Sequence, residues 1–97
     1  TIVVDVPLNT PTGDDIYLST DRSNYSPAEI RMNRIDARRW TIALKVPAGT
    51  ELHYQFTRGS LASVERDRNG SLLTPRLLET RASVTVDDHV ARWADLN

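Results

Sequence analysis

No cysteine occurs in the 97 residues, which excludes disulfide staples, cysteine-ligated zinc and thiol catalysis. Lysine is nearly missing as well: Lys45 stands alone, and arginine carries the rest of the positive charge. Twelve basic residues face 13 acidic ones, for a formal net charge of -1. Phosphate recognition needs an excess of basic side chains gathered on one face. The single basic cluster is Arg31, Arg34, Arg38 and Arg39, which we read as the solvated edge of a strand–turn–strand. Nor does any apolar run approach the ~20 residues of a membrane span. Neither nucleic acid nor membrane is expected as a partner. Thr1 opens the chain without a methionine or a signal-like stretch, so excision from a longer protein, or processing, is the expectation.

Catalytic signatures are scarce too. Only two histidines occur, His53 and His89. A serine nucleophile needs a tight turn and a following helix, and Gly59-Ser60-Leu61 offers neither the Gly-x-Ser-x-Gly context nor the helix. Asp87, Asp88 and His89 are consecutive, and three neighbours on one strand cannot all face one ion. Asp14-Asp15 lacks the repeated carboxylates and glycine of a calcium loop. We therefore expect no catalytic residues, no metal and no cofactor: a non-enzyme.

What the chain does have is alternation. A length of 97 residues fits one domain, residues 1–97, with one two-layer core. Hydrophobic residues make up 39% and charged ones 26%, ordinary values for a folded domain. Ile2, Val4 and Val6 share one strand face; Ile16 and Leu18 point inward with Tyr17 outward. A polar loop covers Thr20 to Pro27, and a short strand is expected near Ile30 to Ile35. The clearest strand runs from Trp40 to Val46, with Trp40, Ile42, Leu44 and Val46 on one face. After the turn Pro47-Ala48-Gly49, Leu52, Tyr54 and Phe56 face inward and His53, Gln55 and Thr57 outward. These two segments read as a central hairpin. Each of their seven inward side chains contributes about 1.5–3 kcal/mol when fully buried.

Val64 is placed in another short strand. Asn69-Gly70 reads as a hairpin turn with positive φ at both residues. Leu77-Leu78 and then Val84 and Val86 mark late strands, while Val90 and Trp93 fit either a helical turn or a last extended edge. Trp40 is read as core by its parity, and Trp93 likewise as core. Short strands with turns every 8–12 residues and no long helix point to an all-β, immunoglobulin-like antiparallel β-sandwich or open distorted barrel of seven to eight strands.

Three runs carry a resemblance: Gly13-Asp14-Asp15-Ile16-Tyr17-Leu18, Arg39 to Gly49, and Glu51-Leu52-His53-Tyr54-Gln55-Phe56-Thr57-Arg58-Gly59. Together with Pro75-Arg76, the run Ala82 to Val86 and Trp93, they resemble the starch-binding domains of carbohydrate-binding module family 20. The resemblance implies an immunoglobulin-like sandwich fused to amylases or related enzymes. It places Tyr25, within Ser23-Asn24-Tyr25-Ser26-Pro27, where the family has a tryptophan that stacks on glucose. Gln55 stands where the family has a lysine bonding sugar hydroxyls. A second stacking tryptophan, expected between Leu61 and Glu65, is missing, and Thr12 replaces a tyrosine of the family's second site.

Shallow sugar sites depend on flat, preorganised aromatic area, so the expectation is a weakened or lost α-glucan site at Tyr25 and Gln55, with Tyr17 as a further platform. The alternative is a structural module docking on a neighbouring hydrolase domain through Leu61, Leu72 and Leu73. As an isolated domain, a monomer is expected.

Overall fold

The computed structural model describes residues 1–80 and 85–96. Among these residues ten strands occur, several of only two residues: β1 Ile2–Asp5, β2 Tyr17–Thr20, β3 Ile30–Arg31, β4 Asn33–Arg34, β5 Arg39–Ile42, β6 Thr50–Thr57, β7 Glu65–Arg66, β8 Arg76–Thr80, β9 Val86–His89 and β10 Arg92–Trp93. One sheet has the order β4-β5-β1-β9, a second the order β3-β2-β6-β8, and β10-β7 form a small third ribbon. All pairings are antiparallel except β1 with β9, which run parallel with Ile2 opposite Val86. The chain is all-β, and its two four-stranded sheets pack as a sandwich.

Alternation decides what goes inside. Ile2 and Val4 of β1 and Trp40 of β5 project from one sheet, and Leu18, Tyr54 and Phe56 from the other; all six are buried. Val6, Ile16, Met32, Val90 and Trp93 close the core from the connecting segments and the small ribbon. Tyr54 and Phe56 meet edge to face at 5.7 Å.

The expected central hairpin does not form. β5 ends at Ile42, where its partner β1 begins at Ile2 and the ladder runs out of residues. The chain then leaves this sheet, turns at Gly49 (φ 84°), and enters the opposite sheet as β6, which pairs with β2 and β8. The two segments face each other across the core rather than lying side by side. Period-two alternation is satisfied by either arrangement, so periodicity could not choose between them. Leu44 and Val46, expected in the strand, lie in this crossing segment, with Leu44 packed against the core.

The strand expected near Ile30 to Ile35 is likewise divided. β3 joins one sheet and β4 the other, while Met32 between them is buried and donates its N–H to the Ile16 carbonyl at 2.9 Å. A chain that changes sheets at a corner must break its ladder there. At Asp67–Gly70 a hairpin does form, but only Gly70 has positive φ (81°). The Asp67 carboxylate accepts the Asn69 and Ser71 N–H groups, which fixes a three-residue loop in place of the two-residue turn. Val64 sits just before β7 rather than within a strand. Val84 lies outside the described residues. The tail is extended: Trp93 pairs with Glu65, is buried, and donates its indole N–H to Thr10 Oγ1 at 2.9 Å.

Candidate functional site

The outer face of the β3-β2-β6-β8 sheet holds two of the three expected sugar residues, Tyr17 and Gln55. Alternation sends Tyr17 and Ser19 of β2 outward, opposite Thr57 and Gln55 of β6. On the next strand, β8, Leu77 stands opposite His53 and is half exposed. Thr57 was expected to face water, yet it and Ser19 are fully buried. Their cover is the segment between β2 and β3, because the Thr57 hydroxyl donates to the Pro27 carbonyl. Ser19 Oγ has no hydrogen-bond partner among the described residues.

That segment is built to hold one shape. Thr20, at the end of β2, accepts the Arg22 N–H and so caps a single 3-10 turn at Asp21–Ser23. Two consecutive residues then adopt the left-handed conformation, Asn24 at φ 58° and Tyr25 at φ 60°. Asparagine tolerates that region; a bulky tyrosine there is an outlier costing about 1–3 kcal/mol. The Tyr25 N–H reaches back to the Thr20 carbonyl at 2.8 Å. Beneath, the Glu29 carboxylate accepts the Thr20 N–H at 2.7 Å, the Thr20 hydroxyl and the Ser23 hydroxyl. Ser23 Oγ in turn accepts the Ser26 N–H at 3.1 Å. His53 Nδ1 lies 3.2 Å from Asp21 Oδ2, tying the start of the segment to β6.

The structure thus brings Tyr17 and Gln55 onto one sheet face and packs the Tyr25 segment against that face. Tyr25 and Gln55 are both half buried. Tyr17 is drawn toward the end of β6, where its ring approaches Gly59 so closely that a Cβ there would lie 3.3 Å from Tyr17 Cε2. Thr12 is exposed on the Pro11–Gly13 turn. The basic cluster is a solvated turn, as read: Asp36 accepts the N–H groups of Arg38 and Arg39 and the Arg39 guanidinium. Those bonds, that to the Arg38 N–H foremost, hold the Asp36 carboxyl below its ordinary 3.8.

One constellation was not legible in the sequence. Glu65, a charged residue at the start of β7, is only 3% exposed. Its carboxylate accepts the Phe56 N–H at 3.1 Å and the Arg76 guanidinium at 2.8 Å. Arg76 also donates to the His89 carbonyl at 2.9 Å and lies 5.5 Å over the Phe56 ring. Asp88 completes the set, 3.5 Å from Arg76 and accepting the Tyr54 hydroxyl at 2.5 Å. Burial lifts the Glu65 carboxyl above its ordinary value even though Arg76 opposes the rise. Burial, reinforced by Asp88, likewise raises the Tyr54 phenol. Burial works against the charge on Arg76, but Glu65 more than compensates and the guanidinium stays ionised. These four residues stitch β6, β7, β8 and β9 together from inside. Every bond of the set joins one strand to another, so the set reads as structure rather than chemistry. A second clamp joins Arg58 to Asp14 at 2.6 Å and to Asp95, with the guanidinium 5.6 Å over Trp93. Among the described residues no group of three or more His, Asp or Glu side chains converges as a metal site. No helix among them is long and apolar enough to cross a membrane.

With this geometry in hand, comparison with known proteins is informative. No protein-family model matches the chain. It is 34% identical over 98 residues to an alpha-amylase of Niallia circulans, covering 98% of this chain and 8% of that protein. It is 29% identical over 98 residues to an amylopullulanase of Thermoanaerobacterium thermosulfurigenes, covering 96% of this chain and 5% of that protein. Among solved structures, the Glycoside Hydrolase Family 15 glucoamylase from Hypocrea jecorina superimposes with a TM-score of 0.68 over 95% of this chain and 16% of that one, at 16% identity. The chain shares its fold with part of a glucoamylase. It spans less than a tenth of the length of the two sequence relatives.

Proposed function

We propose that residues 1–97 form one non-catalytic accessory module of a larger starch-active enzyme, of the kind grouped in carbohydrate-binding module family 20. It contacts α-glucan through Tyr25 and Gln55, with Tyr17 alongside. The observation that carries this reading is Tyr25 itself: a large aromatic held in a left-handed backbone by a dedicated hydrogen-bond set, on a segment packed against the face that carries Gln55. Strain of that sort persists where the surroundings over-determine it, commonly at binding sites. The likeness to short stretches of an alpha-amylase and an amylopullulanase supports the setting.

Affinity should be weak. One tyrosine offers half of an aromatic platform, and the second ring that would complete it is missing between Leu61 and Glu65. The test is a chemical-shift titration with maltoheptaose or β-cyclodextrin. Shifts centred on the amides of Tyr25 and Gln55 at millimolar sugar are expected; shifts confined to noise would eliminate the reading.

A second reading, docking on a neighbouring domain, is favoured by the exposure of Leu61 and Leu72, at 61% and 80%. Leu73, the third residue of that expected patch, is half buried. Relaxation measurements on the intact parent protein decide it: independent tumbling of this module would remove it.

A further inference from the structure

We infer that Glu29 is the positioning residue of the sugar face, acting on glucan only through Tyr25. The inference rests on the reading of Tyr25 as the stacking residue and adds the group that makes it competent. Glu29 sits just before β3, four residues beyond Tyr25, and its side chain turns back under the segment rather than out to solvent.

One carboxylate meets three donors there: the Thr20 N–H at 2.7 Å, the Thr20 hydroxyl at 2.9 Å, and the Ser23 hydroxyl. Each donor belongs to the frame of the turn. Thr20 supplies both the cap for the 3-10 turn and the carbonyl that accepts the Tyr25 N–H. Ser23 gives its one hydroxyl proton to Glu29, with the Thr20 carbonyl 3.2 Å from the same oxygen, and accepts the Ser26 N–H. Residues 20, 23 and 26 are therefore fixed around one anchor. The two left-handed residues, Asn24 and Tyr25, lie between those fixed points.

Three hydrogen bonds converge on this one side chain, and together they hold a backbone that tyrosine disfavours on its own. Without the carboxylate, Tyr25 is free to relax out of the left-handed region. Its ring would then be presented in only a fraction of molecules, and apparent affinity falls by that fraction.

The experiment uses the whole 97-residue chain with maltoheptaose as the probe, read by shift titration and by amide hydrogen exchange at Tyr25. Glu29→Ala is expected to weaken binding about tenfold and to speed exchange of the Tyr25 amide by a comparable factor. Glu29→Gln should restore binding to within about twofold, because the amide oxygen accepts the Thr20 N–H and the Ser23 hydroxyl while its NH2 donates to Thr20 Oγ1. A purely structural role would shift melting without that paired response. Should Glu29→Ala not fold, Ser23→Ala removes one of the three donors to Glu29 and the acceptor of the Ser26 N–H but leaves both Thr20 bonds in place, and is expected to weaken binding and loosen the Tyr25 amide to a lesser degree.

If Tyr25→Ala abolishes binding while Glu29→Ala and Ser23→Ala leave affinity and exchange unchanged, the positioning role is overturned and the sugar reading survives. If Tyr25→Ala leaves binding intact, the reading of Tyr25 falls and the inference falls with it.

Discussion

At the scale of single residues, Tyr25 carries the most information. Its left-handed backbone at φ 60° has a cost that a side chain lacking Cβ would avoid. Tyr25→Gly and Tyr25→Ala remove the same ring, so their difference isolates the backbone. We expect the glycine variant to be more stable than the alanine variant by about 1 kcal/mol in urea denaturation. Equal midpoints would mean that residue 25 does not occupy that region. Nothing in Ser23-Asn24-Tyr25-Ser26-Pro27 announces the strain beyond an asparagine that tolerates positive φ. The segment was readable as a loop from its polarity, and Tyr25 as a ligand contact only by resemblance. Glu29 was not singled out at all, because its three partners are set by how the chain folds back.

At the scale of elements, strands were legible by their faces and not by their neighbours. Leu52, Tyr54 and Phe56 are buried as alternation requires, and so are Ile2, Val4 and Val6. Glu65 breaks the rule that charged residues stay outside, and Arg76 makes that tolerable. Arg76→Ala would leave a buried carboxylate without its partner. We expect a loss of about 3 kcal/mol, the lower end for a buried pair, because the Arg76 side chain is 25% exposed against 2% for Glu65. Arg76→Met combined with Glu65→Gln should recover most of that loss, since the amide oxygen still accepts the Phe56 N–H.

The same burial gives a pH signature. The folded-state Glu65 carboxyl titrates above its ordinary 4.5, so the folded chain holds that proton to higher pH than the unfolded chain does. The group's contribution is complete below about pH 4.5 and is lost as pH rises through the folded value. Urea midpoints measured across the weakly acidic range should therefore show a declining component in the wild type. The decline should be steeper in Arg76→Ala and absent in Glu65→Gln.

At the scale of the whole molecule, charge and topology set the behaviour. A formal net charge of -1 with interspersed signs provides no long-range field, and the proposed ligand is neutral. Maltoheptaose affinity should therefore change by less than about twofold between low and physiological salt, measured by titration. A strong salt dependence would point to an anionic ligand and against an uncharged glucan. Topology ties the ends into the centre: β1 lies between β5 and β9, and Trp93 pairs with β7 and bonds Thr10. With no disulfide available, these long-range pairings and the Arg58 and Arg76 clamps hold the layers together.

Sequence alone determined that this chain is all-β and which side chains of each long strand face inward. Both follow from a two-residue period and from the free energy of hiding apolar area, which act on neighbours along the chain. Tertiary structure alone decided that β5 and β6 belong to opposite sheets, that Glu65 and Arg76 meet in the interior, and that Glu29 underpins the turn bearing Tyr25. Each of those depends on which backbone groups and charges approach through space, and alternation along a strand is indifferent to the identity of its partner.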